Sequence, residues 1–279
     1  MTTRSWMACL LVGLMSCGGD EGASPAPTTD ATADTALSGD ATASSCDPTA
    51  PPLTSMRLSA KGTRLLDALG REVMLRGANT GGRSKFDPFF PFPFQESGLS
   101  EQADAPPFVE AVETYYDMLA SWGINVVRMP FSWEALEPTR GTYDATFLAR
   151  YMMAVDAAGA RGIRVIVDFH QDVFARPFCG DGFPLWAVPE PFPELPASCS
   201  SWFSNYFNEG PMQVAFDRFW ANEDGLMDAF EAMWTHMATE AWPHAGVIGF
   251  EIINEPAVGT DDEDTWASEV LTPFYERMA

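Results

Sequence analysis

Four times along this chain, a short apolar run that ends in polar residues is followed by a longer run with apolar residues at helical spacing. Glu72–Gly77 reads as a first core strand ending at Ala78-Asn79-Thr80, and a Pro- and Phe-rich loop, Phe86 to Phe94, follows it. Phe108, Val112, Tyr115, Tyr116, Leu119 and Trp122 then recur at the spacing of one helix face, and Gly123 stops that helix. Ile124–Met129 is the next strand; Phe147, Leu148, Tyr151, Met152 and Val155 mark a second helix, closed by Gly162. Ile163–Phe169 is a third strand, and a long loop runs from His170 to about Met212. Phe216–Met237 reads as helical with a bend at Asn222–Gly225, Gly246–Pro256 contains the fourth strand, and Thr265–Met278 is a fourth helix. Met56–Leu75, ahead of all this, suggests a small hairpin turning at Leu69-Gly70. Alternation of this kind means a parallel sheet covered by helices.

An open doubly wound sheet and a (β/α)8 barrel both satisfy that order. No Gly-x-Gly-x-x-Gly follows a strand, which weighs against a dinucleotide fold. The strands instead end in Asn79, Arg128, His170 with Asp172, and Asn254 with Glu255. Polar side chains at the same end of successive strands are what a barrel active site requires. The expected fold is therefore α/β, the N-terminal half of a (β/α)8 TIM barrel behind a small hairpin. Four βα units are half of such a barrel, so the sequence is expected to be a fragment or a truncated reading frame.

Residues 1–17 hold one positive charge, Arg4, before an apolar run, the shape of an export signal. Leu14-Met15-Ser16-Cys17 resembles the bacterial lipobox, which predicts lipidation of Cys17. Residues 18–53 are rich in Ala, Thr, Ser and Asp and lack the large apolar residues a core needs, so they read as a disordered tether. Cys46 lies within the tether and suggests no role. Residues 54–279 form the expected catalytic domain. The chain should be exported, as a cell-envelope lipoprotein or a secreted protein, and should meet a membrane only through its N-terminal lipid. A net charge of −23 argues against a nucleic-acid partner, because phosphate binding needs clustered Lys and Arg. Cys179 and Cys199 stand twenty residues apart on the long loop, and an oxidising compartment would allow a disulfide between them. Neither has metal-ligand spacing with another Cys or His. No metal and no cofactor are expected.

The chemistry centres on Asn254-Glu255-Pro256. Pro256 has no N–H and keeps Glu255 out of the α region, so this acid should stand at a strand end. Asp168, His170 and Asp172 alternate and would share one face, and Arg128 has matching parity on its own strand. Acids, a base and hydrogen-bonding groups at one mouth suit acid–base work on a hydroxylated substrate. Glycoside hydrolysis needs a second carboxylate about 5–9.5 Å away. Glu251 is about 13 Å from Glu255 if the strand stays extended, at ~3.3 Å per residue. It is expected to be a buried structural acid.

These strings resemble glycoside hydrolase family 5, the cellulase family: Leu75-Arg-Gly-Ala-Asn79, Val127-Arg-Met-Pro130, Asp168-Phe-His-Gln-Asp172 and Asn254-Glu-Pro256 match its first four strand ends. Asp168–Phe174, with Gly180-Asp-Gly182, Pro184-Leu-Trp186 and Lys85, is similar to its endoglycoceramidase branch. The resemblance implies a retaining β-glycosidase with Glu255 as general acid/base and Asn254 on the sugar 2-hydroxyl. His170, Asp172 and Lys85 would hold other sugar hydroxyls, and Arg128 would keep the nucleophile ionised. The family's nucleophile is a glutamate on its seventh strand, and the chain ends before such a strand, so none is assigned. The implied partner is a glycan or glycolipid, with the bond between oligosaccharide and ceramide as its target. An endo-β-glucanase or mannanase would share most of these residues, and a non-catalytic surface glycan-binding lipoprotein would lack the nucleophile. Trp186, Trp202 and Trp220 suit either sugar stacking or core packing.

Overall fold

Ser59–Lys61 (β1) and Arg64–Leu66 (β2) form an antiparallel hairpin in the computed structural model, which describes residues 55–95, 104–191, 199–207 and 210–279. The leader, Cys17, the tether and Cys46 lie outside these residues. The described residues belong to one unit, Pro51–Ala279. The hairpin turns at Gly62, in the left-handed region, and not at Leu69-Gly70 as expected. Leu69-Gly70 makes a second turn, held by the Asp67 carboxylate on Leu69 N and Arg71 N, which returns Glu72 to Leu66.

The first core strand is shorter and later than expected, Gly77–Asn79 (β3). A side chain replaces the missing ladder: Asn125 Oδ1 accepts from Arg76 N (2.7 Å) and Asn125 Nδ2 donates to Met74 O (2.8 Å). Phe108–Ser121 (α1) ends before Gly123, whose φ of 73° suits a helix stop. Val126–Phe131 (β4) leads into the single turn Trp133–Leu136 (α2) and then Ala145–Ala160 (α3). Asp144 caps α3 by accepting from Thr146 N and Phe147 N. Arg164–Phe169 (β5) follows.

After the long loop come Pro211–Trp220 (α4) and Leu226–Ala241 (α5). The bend between them is at the expected place, where Asn222 and Asp224 are left-handed and Asn222 Oδ1 takes the Met227 and Asp228 amides. Val247–Glu251 (β6) is followed by Glu263–Trp266 (α6), which runs through a π-turn into Thr272–Met278 (α7).

The four long-range strands pair in parallel in the order β3-β4-β5-β6. Among the described residues each strand adds beside the last, without the order reversal that marks a doubly wound sheet. This is the α/β arrangement of a partial barrel. β4 and β5 are buried along nearly their whole length, as inner parallel strands with both faces covered should be. Their last residues, Phe131 and Phe169, meet Trp133, Phe183, Phe230 and Trp234 in edge-on and tilted ring contacts. That aromatic plug lies directly behind the strand ends and fixes where they point.

Candidate active site

β6 stops pairing at Glu251, earlier than the sequence suggested, yet the chain rejoins β5 beyond the break: Asn254 N donates to Phe169 O at 3.0 Å. Ile252 and Ile253 bulge between these two points. A bulge re-aims the side chains after it, and here it delivers Asn254 and Glu255. Glu255 has a φ of 42°, uncommon for a residue with a Cβ. Val173 and Phe174, just past β5, are also left-handed, at 41° and 72°. Backbone strain therefore collects at the C-terminal ends of β5 and β6.

Gln171 holds these two strand ends together, and its role was not anticipated. Its Nε2 donates to Asn254 O (2.7 Å) and Glu255 O (2.8 Å), and its Oε1 accepts from Phe174 N. Asn254 Nδ2 returns a bond to Gln171 O at 2.9 Å. The signal was present in the alternation: Gln171 has the opposite parity to His170 and Asp172, so it turns away from them.

Arg128 joins the ionic half of the site. It grips Glu251 at 2.5 and 2.7 Å, lies 3.1 Å from the fully buried Asp168, and donates to Asn254 Oδ1 at 2.8 Å. Glu251 is thus ion-paired, but it is not buried as expected. Its side chain is 39% exposed, because β6 is the outer strand of the described sheet. Burial pushes the Asp168 carboxyl up, while His170 and Arg128 pull it back.

His170 stands between two acids. Nδ1 is 3.1 Å from Asp168 Oδ2 and Nε2 is 3.7 Å from Asp172 Oδ2. Burial pulls its pKa down, but the two carboxylates prevail and lift it to about 9. The two flanking acids favour its imidazolium form at neutral pH. Lys85, from a 3-10 turn after β3, forms an ion pair with Asp172. Burial raises the Asp172 carboxyl, and the His170 and Lys85 contacts more than reverse that, leaving it below the usual range.

Arg128, Asn254, His170, Asp172 and Lys85 are thereby brought into one connected set. Glu255 joins it through its backbone carbonyl. Its exposed carboxylate acts electrostatically on Arg128 and on Tyr206. Tyr206 accepts from Val173 N at 2.8 Å, which pins the long loop to the site. Cys179 and Cys199 form a disulfide within that loop. Trp186 donates to Glu137 O and packs edge-on against Trp133, and Trp220 donates to Ala257 O among Phe219 and Phe274. Both are packing residues. Trp202 is half-buried on the loop beside Phe203.

One group was not foreseen as chemical. Asp181 is buried beside Asp172, and His170, Asp172 and Asp181 each place a ligand atom within 4.8 Å of the others. Such a trio can hold a cation, and the Lys85 ammonium supplies that positive charge.

Residues 89–279 match the family described as Cellulase (glycosyl hydrolase family 5). Endoglycoceramidase I of Rhodococcus hoagii is 33% identical over 221 residues, covering 76% of this chain and 39% of its own. An endoglycoceramidase of Cyanea nozakii is 34% identical over 219 residues, 70% of this chain and 41% of its own. Among solved structures, the lactosyl-enzyme intermediate of endo-glycoceramidase II from Rhodococcus sp. superposes with a TM-score of 0.62 at 27% identity, covering 77% of this chain and 48% of that one. The chain therefore spans well under two thirds of the length of the relatives it matches.

Proposed function

Because the chain belongs to glycosyl hydrolase family 5, we propose that it carries the acid/base half of a retaining β-glycosidase with endoglycoceramidase-like specificity. The observation that carries this is Asn254-Glu255-Pro256, held past the end of β6 by Gln171 and Arg128. Glu255 protonates the leaving glycosidic oxygen, then takes a proton from the water that releases the sugar. Asn254 binds the sugar 2-hydroxyl. Lys85, Asp172 and His170 bind further hydroxyls as a charged set. Arg128 presents positive charge to the carboxylate that forms the glycosyl bond, and no residue of this chain is assigned that role.

The glycolipid assignment draws on the relatives named above and on the loop pinned by Tyr206. Phe203 and Phe207 on that loop are 55% and 82% exposed. Exposed aromatic surface beside a polar sugar site suits a substrate that is part glycan and part lipid. Glu255→Gln in a full-length version that also supplies the nucleophile tests the reading. Release of intact glycan from a glycosphingolipid should fall by about 10²–10⁴-fold, the usual loss when acid–base help is removed. Unchanged turnover removes Glu255 from the mechanism. Glycan binding by calorimetry without product would favour the non-catalytic reading, and cleavage of soluble β-glucan alone would favour a glucanase. Export and a lipid anchor at Cys17 belong to the same proposal. Palmitate labelling lost in Cys17→Ser is its test.

A further inference from the structure

Asp181 faces Asp172 across a two-way backbone pair: Asp181 N donates to Asp172 O at 3.0 Å, and Asp172 N to Asp181 O at 3.3 Å. Two glycines make the approach possible. A Cβ at Gly180 would lie 1.8 Å from Asp172 O, and one at Gly182 would lie 2.4 Å from Gln171 Cβ. Gly182 also has a φ of 106°. This cradle buries the Asp181 carboxyl to 2% exposure and leaves its Oδ1 without a hydrogen-bond partner. His170 Nε2, turned toward the same cluster, lacks one as well.

The charges around this point decide what Asp181 is. Arg128, His170 and Lys85 are cations, and Asp168, Asp172 and Glu251 are the anions that contact them. The set balances when Asp181 is neutral. Facing Asp181 are Asp172 and His170 from the segment after β5, Lys85 from the turn after β3, and Glu134 from α2, itself paired with Arg176 at 2.7 Å. Two carboxylates this close in a dry site do not readily ionise together.

We propose that Asp181 is a positioning residue that works in its protonated form, leaving Asp172 as the single anion facing Lys85 and so holding the Lys85 ammonium in the sugar site. Burial first, and Asp172 second, push the Asp181 carboxyl up to about 7. When its proton leaves, a second anion competes for Lys85 and draws the ammonium away from Asp172. Sugar binding weakens, while proton delivery by Glu255 is untouched. The consequence for substrate rests on the glycosidase reading; the protonation of Asp181 does not.

The test is carbon-detected carboxyl titration of the full chain, with glycoside kinetics beside it. One carboxyl should titrate near pH 7 and be missing in Asp181→Asn. In Lys85→Gln its midpoint should rise, because a nearby cation is gone. With a β-glycoside, KM should climb severalfold between about pH 6 and about pH 8 with little change in kcat. Asp181→Asn should keep the low KM throughout. No carboxyl titrating above about pH 6 overturns the proposal, as does an unchanged pH dependence of KM in Asp181→Asn. If the titration appears but the wild-type chain neither binds nor turns over a glycoside, the protonated Asp181 stands and the glycosidase reading falls.

Discussion

Arg128 on β4 reaches past β5 to grip both carboxylate oxygens of Glu251 on β6, at 2.5 and 2.7 Å. On the way it lies 3.1 Å from Asp168 on the intervening strand. One guanidinium therefore ties three parallel strands at the end where the polar groups gather. Its planar fork explains why Arg stands here and not Lys.

Removing that fork takes from the fully buried Asp168 one of its two charged neighbours and leaves it His170 alone. Arg128→Ala should destabilise the fold by about 1–3 kcal/mol, the range for a buried polar group that loses a partner. Chemical denaturation measures it directly. Arg128→Lys should keep part of the charge compensation yet lose the two-pronged grip on Glu251. A loss below about 1 kcal/mol in Arg128→Ala would mean that Asp168 is protonated when Arg128 is absent.

Gln171 offers an uncharged counterpart. Gln171→Leu keeps much of the volume but leaves the carbonyls of Asn254 and Glu255 without their donor. The expected cost is about 1–3 kcal/mol, the range for orphaned buried polar groups. Turnover should fall more than stability alone explains, because the bulge that presents Glu255 loses its tie to β5. A thermal melt beside kinetics at a temperature where the variant is fully folded separates the two.

Much of this was legible in the sequence, for reasons that particular residues make clear. The helices α1, α3 and α5 announce themselves by apolar spacing, and Gly123 and Gly162 stop the first two by going left-handed. The strand ends are legible because polar residues close apolar runs: Arg128, His170, Asp172 and Asn254 do meet. Pairing between distant segments was not. Asn125 replaces a stretch of ladder with its side chain, so β3 is shorter than its apolar run. Glu251 looked buried because the run around it is apolar, yet its strand is the sheet's outer one. Asp181 sat in a Gly-Asp-Gly string that reads as a turn, and only the approach of Asp172 makes it chemical.

His170 predicts a pH dependence of stability. Its folded pKa is about 9, above the ordinary 6.5. A raised value means that the folded state holds the proton more tightly, so this contribution is complete below about pH 6.5 and is lost as pH rises through 9. Asp181 has the same sign, but its loss ends near 7. Between about pH 7 and about pH 9, the decline should thus belong to His170. Urea midpoints across this window should fall in the wild type and flatten in His170→Gln. A wild-type midpoint that holds steady or rises there would show His170 to be neutral.

Glu255 should be a residue whose replacement improves the fold. Its φ of 42° places a residue that carries a Cβ in a region that costs of order 1–3 kcal/mol, and its carboxylate is exposed. Asn enters the left-handed region more easily than Glu. Glu255→Asn should therefore match or exceed wild-type stability, by up to about 1 kcal/mol, since Asn relieves only part of the strain. Its shorter amide cannot deliver a proton, so turnover should fall as far as in Glu255→Gln. Stability and activity would then move in opposite directions at one position, as expected where strain is kept for function. A variant less stable than wild type by more than about 1 kcal/mol would instead mean that the Glu255 carboxylate helps hold the fold, and that the left-handed backbone is a by-product of packing around it.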